Sequence, residues 1–462
     1  MLRLIPLTLL LCLVLSAPAS ASRGQTLTFE APRDLMDPAK RPAALQELQS
    51  LGVKRLRVIL TWSKVAPGAD QRTRPDFQQT DPDSYAWGEY DAVMAAARQR
   101  GWSVLMTISG PVPKWATKAR LDNLTRPSPS AFAAFTTAVG RKYGDQVDSW
   151  AIWNEPNQPQ FLRPQFSRGG RATSPKLYRQ LYQAGVRGLE KAGQQDDDFL
   201  IGETSPRGTG RVVAPLRFLR GMLCLSSKYH RMGKCNALSP DGYAHHAYTT
   251  RQGPFFKPSD RDDVTIGVLS RLTRALDRAR RAKALTKKLP IHLTEFGIQS
   301  TPDTIQGVSL ARQVQYRAIA ERTAYYTSRV VSFSQYLLTD SEAEVDTDGE
   351  KSYPGFESGL RFADGKAKPS LRSFPLPLAV QRRGSKVSVW GLVRPAKGAT
   401  TATITYANKG SSKYRKLRTV RTDSRGYFRF NANWRSGRRW NITWENAAGD
   451  QLKGYPVRSY TR

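Results

Sequence analysis

Cysteine, histidine and acidic residues are scarce in this chain. It has three cysteines and four histidines in 462 residues, with no Cys-x-x-Cys pair and no His-Glu-x-x-His helix. A zinc or redox enzyme would need ligands that this composition lacks, so no metal and no cofactor is expected. No Gly-rich phosphate turn follows an early strand, which argues against a doubly wound nucleotide-binding sheet. No helix-turn-helix, zinc-finger or RNP-like sequence is present, and nucleic acid is not expected as a partner. Only one long apolar run exists, Leu4 to Leu15. It is shorter than the roughly 20 residues that span a bilayer, so no stable membrane span is expected.

That run reads as a targeting segment. Met1-Leu2-Arg3 is basic, the apolar stretch follows, and Ala19-Ser20-Ala21 gives the small-x-small cleavage pattern. Residues 1–21 are therefore expected to be a signal peptide, with a secreted chain starting near Ser22. A retained anchor is the alternative. Cys12 lies inside the apolar core of the signal, too early for lipid attachment. Cys224 and Cys235 then remain, and two nearby cysteines in an exported protein are expected to form a disulfide.

Acids are outnumbered, 38 against 72 Lys and Arg, for a formal charge of +34. The excess is uneven. Pro377 to Arg462 holds 19 basic residues and three acids, a net +16. A solvated basic surface is the bland explanation. The sharper one is a module that holds the protein on an anionic cell-envelope polymer.

Strand-like and helix-like segments alternate after the leader. Expected strands are Thr26–Phe29, Val53–Thr61, Trp102–Ile108, Val147–Trp153, Phe199–Gly202, Gly242–His246, Ile291–Thr294 and Val330–Leu338. Helical patterns separate them, and Gly52, Gly101 and Gly144 follow three of the helices as left-handed caps would. Eight β-then-α units over about 350 residues predict an α/β fold, a (β/α)8 TIM barrel, over 22–375. Ser373–Pro377 reads as a linker. Beyond it, Val387–Trp390, Thr401–Tyr406, Tyr414–Thr422, Tyr427–Trp434, Trp440–Trp444 and Val457–Tyr460 are β-branched or aromatic runs between turn residues. They predict a small C-terminal all-β sandwich over 377–462.

Two strands end alike. Ala151-Ile152-Trp153-Asn154-Glu155-Pro156-Asn157 delivers a carboxyl and is stopped by a proline, which cannot continue a ladder. Pro290-Ile291-His292-Leu293-Thr294-Glu295-Phe296-Gly297 delivers a second, where Gly297 is read as permitting the turn. Alone, each glutamate is more often a salt-bridge partner or helix-cap neighbour. As a pair at the carboxyl mouth of a barrel they suit glycosidic-bond cleavage, one as proton donor and one as nucleophile. Glu203 ends the fifth strand and is read as a salt-bridge partner.

These residues resemble the clan A glycoside hydrolases, retaining barrel enzymes, nearest to cellulase-like (family 5) or xylosidase-like (family 39) members. The resemblance covers about residues 25–375. It implies Glu155 as acid/base after strand four and Glu295 as nucleophile after strand seven, which agrees with the independent strand count. It further implies that Tyr248 hydrogen-bonds the nucleophile, that His246 helps to position it, that Arg57 keeps it ionised, and that Asn154 touches a sugar hydroxyl. Two departures stand out. The segment after strand three, Ser109 to Trp115, has no histidine, and no tryptophan occupies the end of strand eight, Gln335 to Asp340.

Trp62 and Trp115 follow strands two and three and are candidates for stacking on a sugar face, or for packing the loops. Phe356 and Tyr353 are weaker candidates. Arg163, Arg168, Arg171 and Arg251 lie in loops where they could select acidic sugars. The expected function is that of a secreted retaining glycosidase acting on a polysaccharide or oligosaccharide. A transglycosylase would use the same residues. A non-catalytic carbohydrate- or envelope-binding barrel is the alternative from another class, and it would predict loss of one carboxyl.

Overall fold

The structure, a computed structural model, describes residues 25–345, 351–353 and 355–461. The expected signal peptide, 1–21, lies outside the described residues. Among the described residues no helix is long and apolar enough to cross a membrane.

Eight strands alternate with helices: β1 (Thr26–Glu30), α1 (Pro32–Leu35), α2 (Arg41–Ser50), β2 (Arg55–Thr61), α3 (Trp62–Val65), α4 (Glu89–Gln99), β3 (Ser103–Ser109), α5 (Pro129–Tyr143) and β4 (Ser149–Ile152) make the first half. The second half is α6 (Ser174–Lys191), β5 (Asp198–Thr204), α7 (Pro215–Met222), β6 (Gly242–His246), α8 (Ser270–Arg281), β7 (Ile291–Glu295), α9 (Leu310–Tyr325) and β8 (Val330–Tyr336). Each strand pairs with its sequence neighbour, and β1 pairs in parallel with β8, which closes the barrel. The strands are apolar on the face that meets the helices and carry polar residues inward at their carboxyl ends. That division places the chemistry at one mouth.

Local signals set the helix ends. Proline opens α5, α6 and α7, where its missing N–H costs nothing. Ser128 Oγ caps α5 by accepting from the Ala131 N–H at 3.3 Å. Gly52 and Gly101 have φ of 81° and 61°, as left-handed caps require. Gly144 differs from expectation. Its φ is −50°, and it begins a 3-10 turn over Gly144–Gln146 instead of reversing the chain.

After β8 come a short antiparallel strand pair, β9 (Glu344–Val345) with β10 (Lys351–Ser352), and the short α10 (Pro369–Ser373). The C-terminal domain holds β11 (Leu378–Arg383), β12 (Lys386–Leu392), β13 (Thr401–Ala407), β14 (Arg415–Arg421), β15 (Tyr427–Asn433), β16 (Arg439–Glu445), β17 (Gln451–Lys453) and β18 (Val457–Tyr460). The strands form one path, β14-β13-β16-β18-β11-β12-β15, with β17 on β16. The two layers are joined because β18 pairs with both β16 and β11. Val380, Val389, Ile404, Phe428, Trp440 and Ile442 fill the core between them.

The segment read as a linker is not free. Ser373 ends α10, and Phe374 and Leu376 are buried. Ala318, Ile319 and Tyr325 of α9 pack against Ala379, Trp390, Leu392, Tyr427 and Tyr460. Beside them Glu321 of α9 accepts from Arg317 Nη1 at 2.7 Å and from Arg394 Nη2 at 2.9 and 3.0 Å. All three side chains are buried. Arg317 Nε donates to Gln335 Oε1 of β8 at 2.6 Å, so the domain interface is wired to the barrel wall.

Cys224 and Cys235 form a disulfide, with Cα atoms 6.2 Å apart.

Candidate active site

The end of β4 is shaped by an uncommon backbone. Trp153 has φ of 71° and Glu155 φ of 39°. Left-handed non-glycine residues are costly and persist where surrounding contacts hold them. Here the contacts are evident. The Trp153 ring packs edge-on against Phe132, and its Nε1 donates to Phe161 O at 3.0 Å. The Asn154 N–H donates to Ser109 Oγ at 3.0 Å, and the Glu155 N–H to Glu203 O at 3.0 Å. These bonds turn the chain so that Asn154 and Glu155 face the cleft.

At β7 the glycine after the strand is needed for room, not for rotation. A Cβ on Gly297 would lie 2.5 Å from Ser358 Cβ and 2.6 Å from Tyr336 O. Close packing there fixes Phe296 and hence Glu295.

Arg57 of β2 is the hub. Its Nη1 donates to Glu295 Oε1 at 2.6 Å and also to Glu30 Oε2. Its Nη2 donates to Asn154 Oδ1 at 2.8 Å and Glu203 Oε2 at 2.6 Å. Its Nε reaches Thr107 Oγ1 and Glu203 Oε1, both at 3.2 Å. The Tyr248 hydroxyl donates to Glu295 Oε2 at 3.1 Å. His246 Nδ1 lies 2.8 Å from Glu155 Oε1 and 3.5 Å from Glu295 Oε2. Gln158 Nε2 donates to Glu155 Oε2 at 3.1 Å.

The charges follow from this arrangement. Burial alone would raise the Glu295 carboxyl, but His246, then Arg57, then the hydrogen bonds from Arg57 and Tyr248 outweigh it and hold it below its ordinary value. Burial disfavours a charged His246 ring, yet Glu295 and then Glu155 overcome that and raise it. Burial raises the Tyr248 hydroxyl well above its ordinary value, so it stays a donor.

Ligand atoms of Glu155, His246 and Glu295 all lie within 4.8 Å of one another. Among the described residues this is the only trio with such geometry. The Arg57 guanidinium on Glu295 already supplies a cation there, which opposes a metal ion at that spot.

The cleft has a volume of about 480 Å³, and Glu30, Arg57, Asn154, Glu155, Glu295 and Tyr336 line it. The structure thus brings together Arg57, Asn154, Glu155, His246, Tyr248 and Glu295. Glu203 makes the expected salt bridge, with Arg57.

Trp62 and Trp115 do not line the cleft, which corrects their reading as sugar platforms. Trp62 is 0% exposed, stacked on Phe135 at 5.0 Å and edge-on to Trp115 at 5.8 Å. Trp115 is 5% exposed, and its Nε1 is taken by Pro67 O at 3.2 Å. Trp62 packs on Phe132 and Phe135 of α5, and Trp115 packs on Trp62 and Phe77, so both serve the packing that was the other reading of them. Phe356 does line the cleft, whereas Tyr353 lines a separate pocket. Arg163, Arg168, Arg171 and Arg251 are absent from the cleft wall. Arg163 is bonded to Pro159 O, and Arg251 to Thr304 O.

Sequence reasoning missed Glu30, Lys64, Gln158, Gln160, Phe161 and Tyr336, all on the cleft wall. Two carried a signal. Glu30 and Tyr336 are the last residues of β1 and β8, the position that Glu295 holds on β7. Tyr336 stands at the end of β8, in the segment that lacks a tryptophan, its ring edge-on to Tyr248 and Phe356.

No protein-family model and no curated protein matches the sequence. Among solved structures, a glucosidase from Croceicoccus marinus is similar with a TM-score of 0.51 and 12% identity, over 92% of this chain and 97% of that one. A β-glycosidase from Thermosphaera aggregans gives a TM-score of 0.46 and 14% identity, over 76% of this chain and 94% of that one. A family 51 α-L-arabinofuranosidase from Bifidobacterium longum gives 0.45 and 12%, over 90% of this chain and 97% of that one. At this identity the likeness to the Croceicoccus protein shows a shared fold.

Proposed function

We propose that the chain is a retaining glycoside hydrolase of the clan A type. The observation that carries this reading is the carboxylate pair. Glu155 follows β4 by three residues and Glu295 ends β7, and an oxygen of each lies within 4.8 Å of the other. Retaining enzymes hold their two carboxyls about 5–5.5 Å apart, and inverting ones about 6.5–9.5 Å.

The chemistry then runs in two displacements. Glu295, kept ionised by Arg57 and Tyr248, attacks the anomeric carbon. Glu155 gives its proton to the departing oxygen. The resulting glycosyl ester removes the negative charge of Glu295. Glu155, now a carboxylate, takes a proton from water, and the water oxygen attacks the same carbon. Glu295 leaves as a carboxylate and Glu155 has regained its proton, so both groups return to their starting states. Asn154, held by Arg57 Nη2, is placed to meet a sugar hydroxyl beside the reacting carbon.

The likeness in fold to a glucosidase agrees with this reading. Export is part of the proposal, supported by the leader-like sequence and by a disulfide, which persists in oxidising compartments. So is an anionic envelope polymer as a surface partner for the basic C-terminal domain.

The test is hydrolysis of a panel of polysaccharides and aryl glycosides, with the anomer of the first product read by NMR. Net retention, and loss of turnover in Glu295→Gln, is the expected result. Inversion, or near-native turnover by that variant, would sink the proposal.

A further inference from the structure

Three carboxylates share one guanidinium at the floor of the cleft. Glu30, Glu203 and Glu295 all accept from Arg57, and the fourth acceptor, Asn154, is neutral. Arg57 and Glu203 are fully buried and Glu30 is 3% exposed, so water screens little of the repulsion. With every carboxyl ionised, the group would carry two uncompensated negative charges in a poorly solvated space. One of the three acids is therefore best placed to keep a proton.

Donor counts identify it. Glu203 accepts from Arg57 Nη2 at 2.6 Å, from Nε at 3.2 Å and from the Thr107 hydroxyl at 3.1 Å. Glu295 accepts from Arg57 Nη1 at 2.6 Å and the Tyr248 hydroxyl at 3.1 Å, with His246 at 3.5 Å. Glu203 and Glu295 thus each accept from several donors. Glu30 has Arg57 Nη1 and must share that nitrogen with Glu295.

The geometry points to Glu30 as a neutral carboxylic acid in the working protein, a positioning residue that leaves the charge of Arg57 Nη1 to Glu295. This rests on the reading of Glu295 as the nucleophile. The groups that face Glu30 agree with it. Burial pushes its carboxyl up to about 8, Arg57 pulls the other way, the Glu295 charge adds to the rise, and His246 opposes it weakly. Tyr336 of β8 lines the same wall as a neutral phenol, because burial raises its hydroxyl well above its ordinary value. When Glu30 loses its proton, two anions compete for one nitrogen. Arg57 is drawn off Glu295, and repulsion turns the nucleophile away from its line of attack.

The test compares wild type with Glu30→Gln, which copies the neutral acid in size and as an acceptor. On an aryl glycoside that the wild type cleaves, kcat/KM of the wild type is expected to fall about tenfold between pH 7 and pH 9, as a group titrating near 8 would make it. Glu30→Gln is expected to lose the part of that limb that Glu30 sets, keeping only what the proton donor Glu155 contributes, and Glu30→Asp to retain both. An identical alkaline limb in wild type and Glu30→Gln overturns the proposal, because another acid then carries it.

A second arm needs no activity. An acid raised in the folded state contributes stability that is present below its ordinary pKa and lost as pH rises towards 8. The Tm of Glu30→Gln relative to wild type should therefore climb between pH 5 and pH 8. A flat difference refutes the neutral acid even if every glycoside proves inert, whereas inert glycosides with a climbing difference refute only the glycosidase reading.

Discussion

Glu321 offers the sharpest test of how the two domains are joined. Its carboxylate sits between Arg317 of the barrel and Arg394 of the C-terminal domain, at 2.7 Å from one and 2.9 and 3.0 Å from the other. Burial alone would raise this carboxyl, but Arg394 and then Arg317 hold it below its ordinary value. Glu321→Ala leaves two buried guanidinium groups without a counter-charge. Removing one partner from a buried ion pair costs about 3–5 kcal/mol. The effect on melting depends on what unfolds together. At about 2.1 cal/mol/K per residue, a cooperative unit of about 440 residues has an unfolding entropy of about 0.9 kcal/mol/K, and the loss lowers Tm by only about 3–5 °C. If the 84 or so residues of the C-terminal domain melt alone, the same loss lowers their transition by about 15–30 °C. Differential scanning calorimetry separates the cases. The shared apolar face of α9 predicts one transition and the small shift. The sign with pH is fixed too. A carboxyl lowered in the folded state stabilises above its ordinary pKa, and that stability is lost as pH falls through its folded value. The wild type should thus approach Glu321→Ala in stability in acid. A loss under about 1 kcal/mol at neutral pH would refute the account of the triad.

Other consequences follow from the cleft. Tyr248→Phe removes one donor from the charged Glu295, and a hydrogen bond to a charged group contributes about 1.5–3 kcal/mol, so kcat/KM should fall about 10- to 100-fold. Steady-state kinetics on an aryl glycoside checks it, and a change under twofold would remove Tyr248 from the support of Glu295. Trp62→Ala deletes a fully buried ring and should cost about 3–5 kcal/mol in denaturant unfolding, with KM unchanged in the fraction that folds. A raised KM at native stability would restore Trp62 as a sugar platform.

The sequence by itself determined the barrel and the two strand-end glutamates. Alternating apolar segments with helix patterns between them leave a parallel sheet few ways to bury both faces, and closure is one of them. Strand ends are legible because a run of Trp150, Ala151 and Ile152 must stop at Pro156 whatever lies around it. The first C-terminal strand escaped notice because β11 ends in Gln381-Arg382-Arg383, a polar finish to a sheet strand. Tertiary structure alone decided which aromatic rings face the cleft. Trp62 and Trp115 follow strands as Tyr336 ends one, yet aromatic packing takes the first two and the cleft keeps the third. It alone decided that Arg57 answers to three carboxylates drawn from β1, β5 and β7. Those residues are far apart in the chain, and only closure of the barrel brings their charges onto one guanidinium in a poorly screened space.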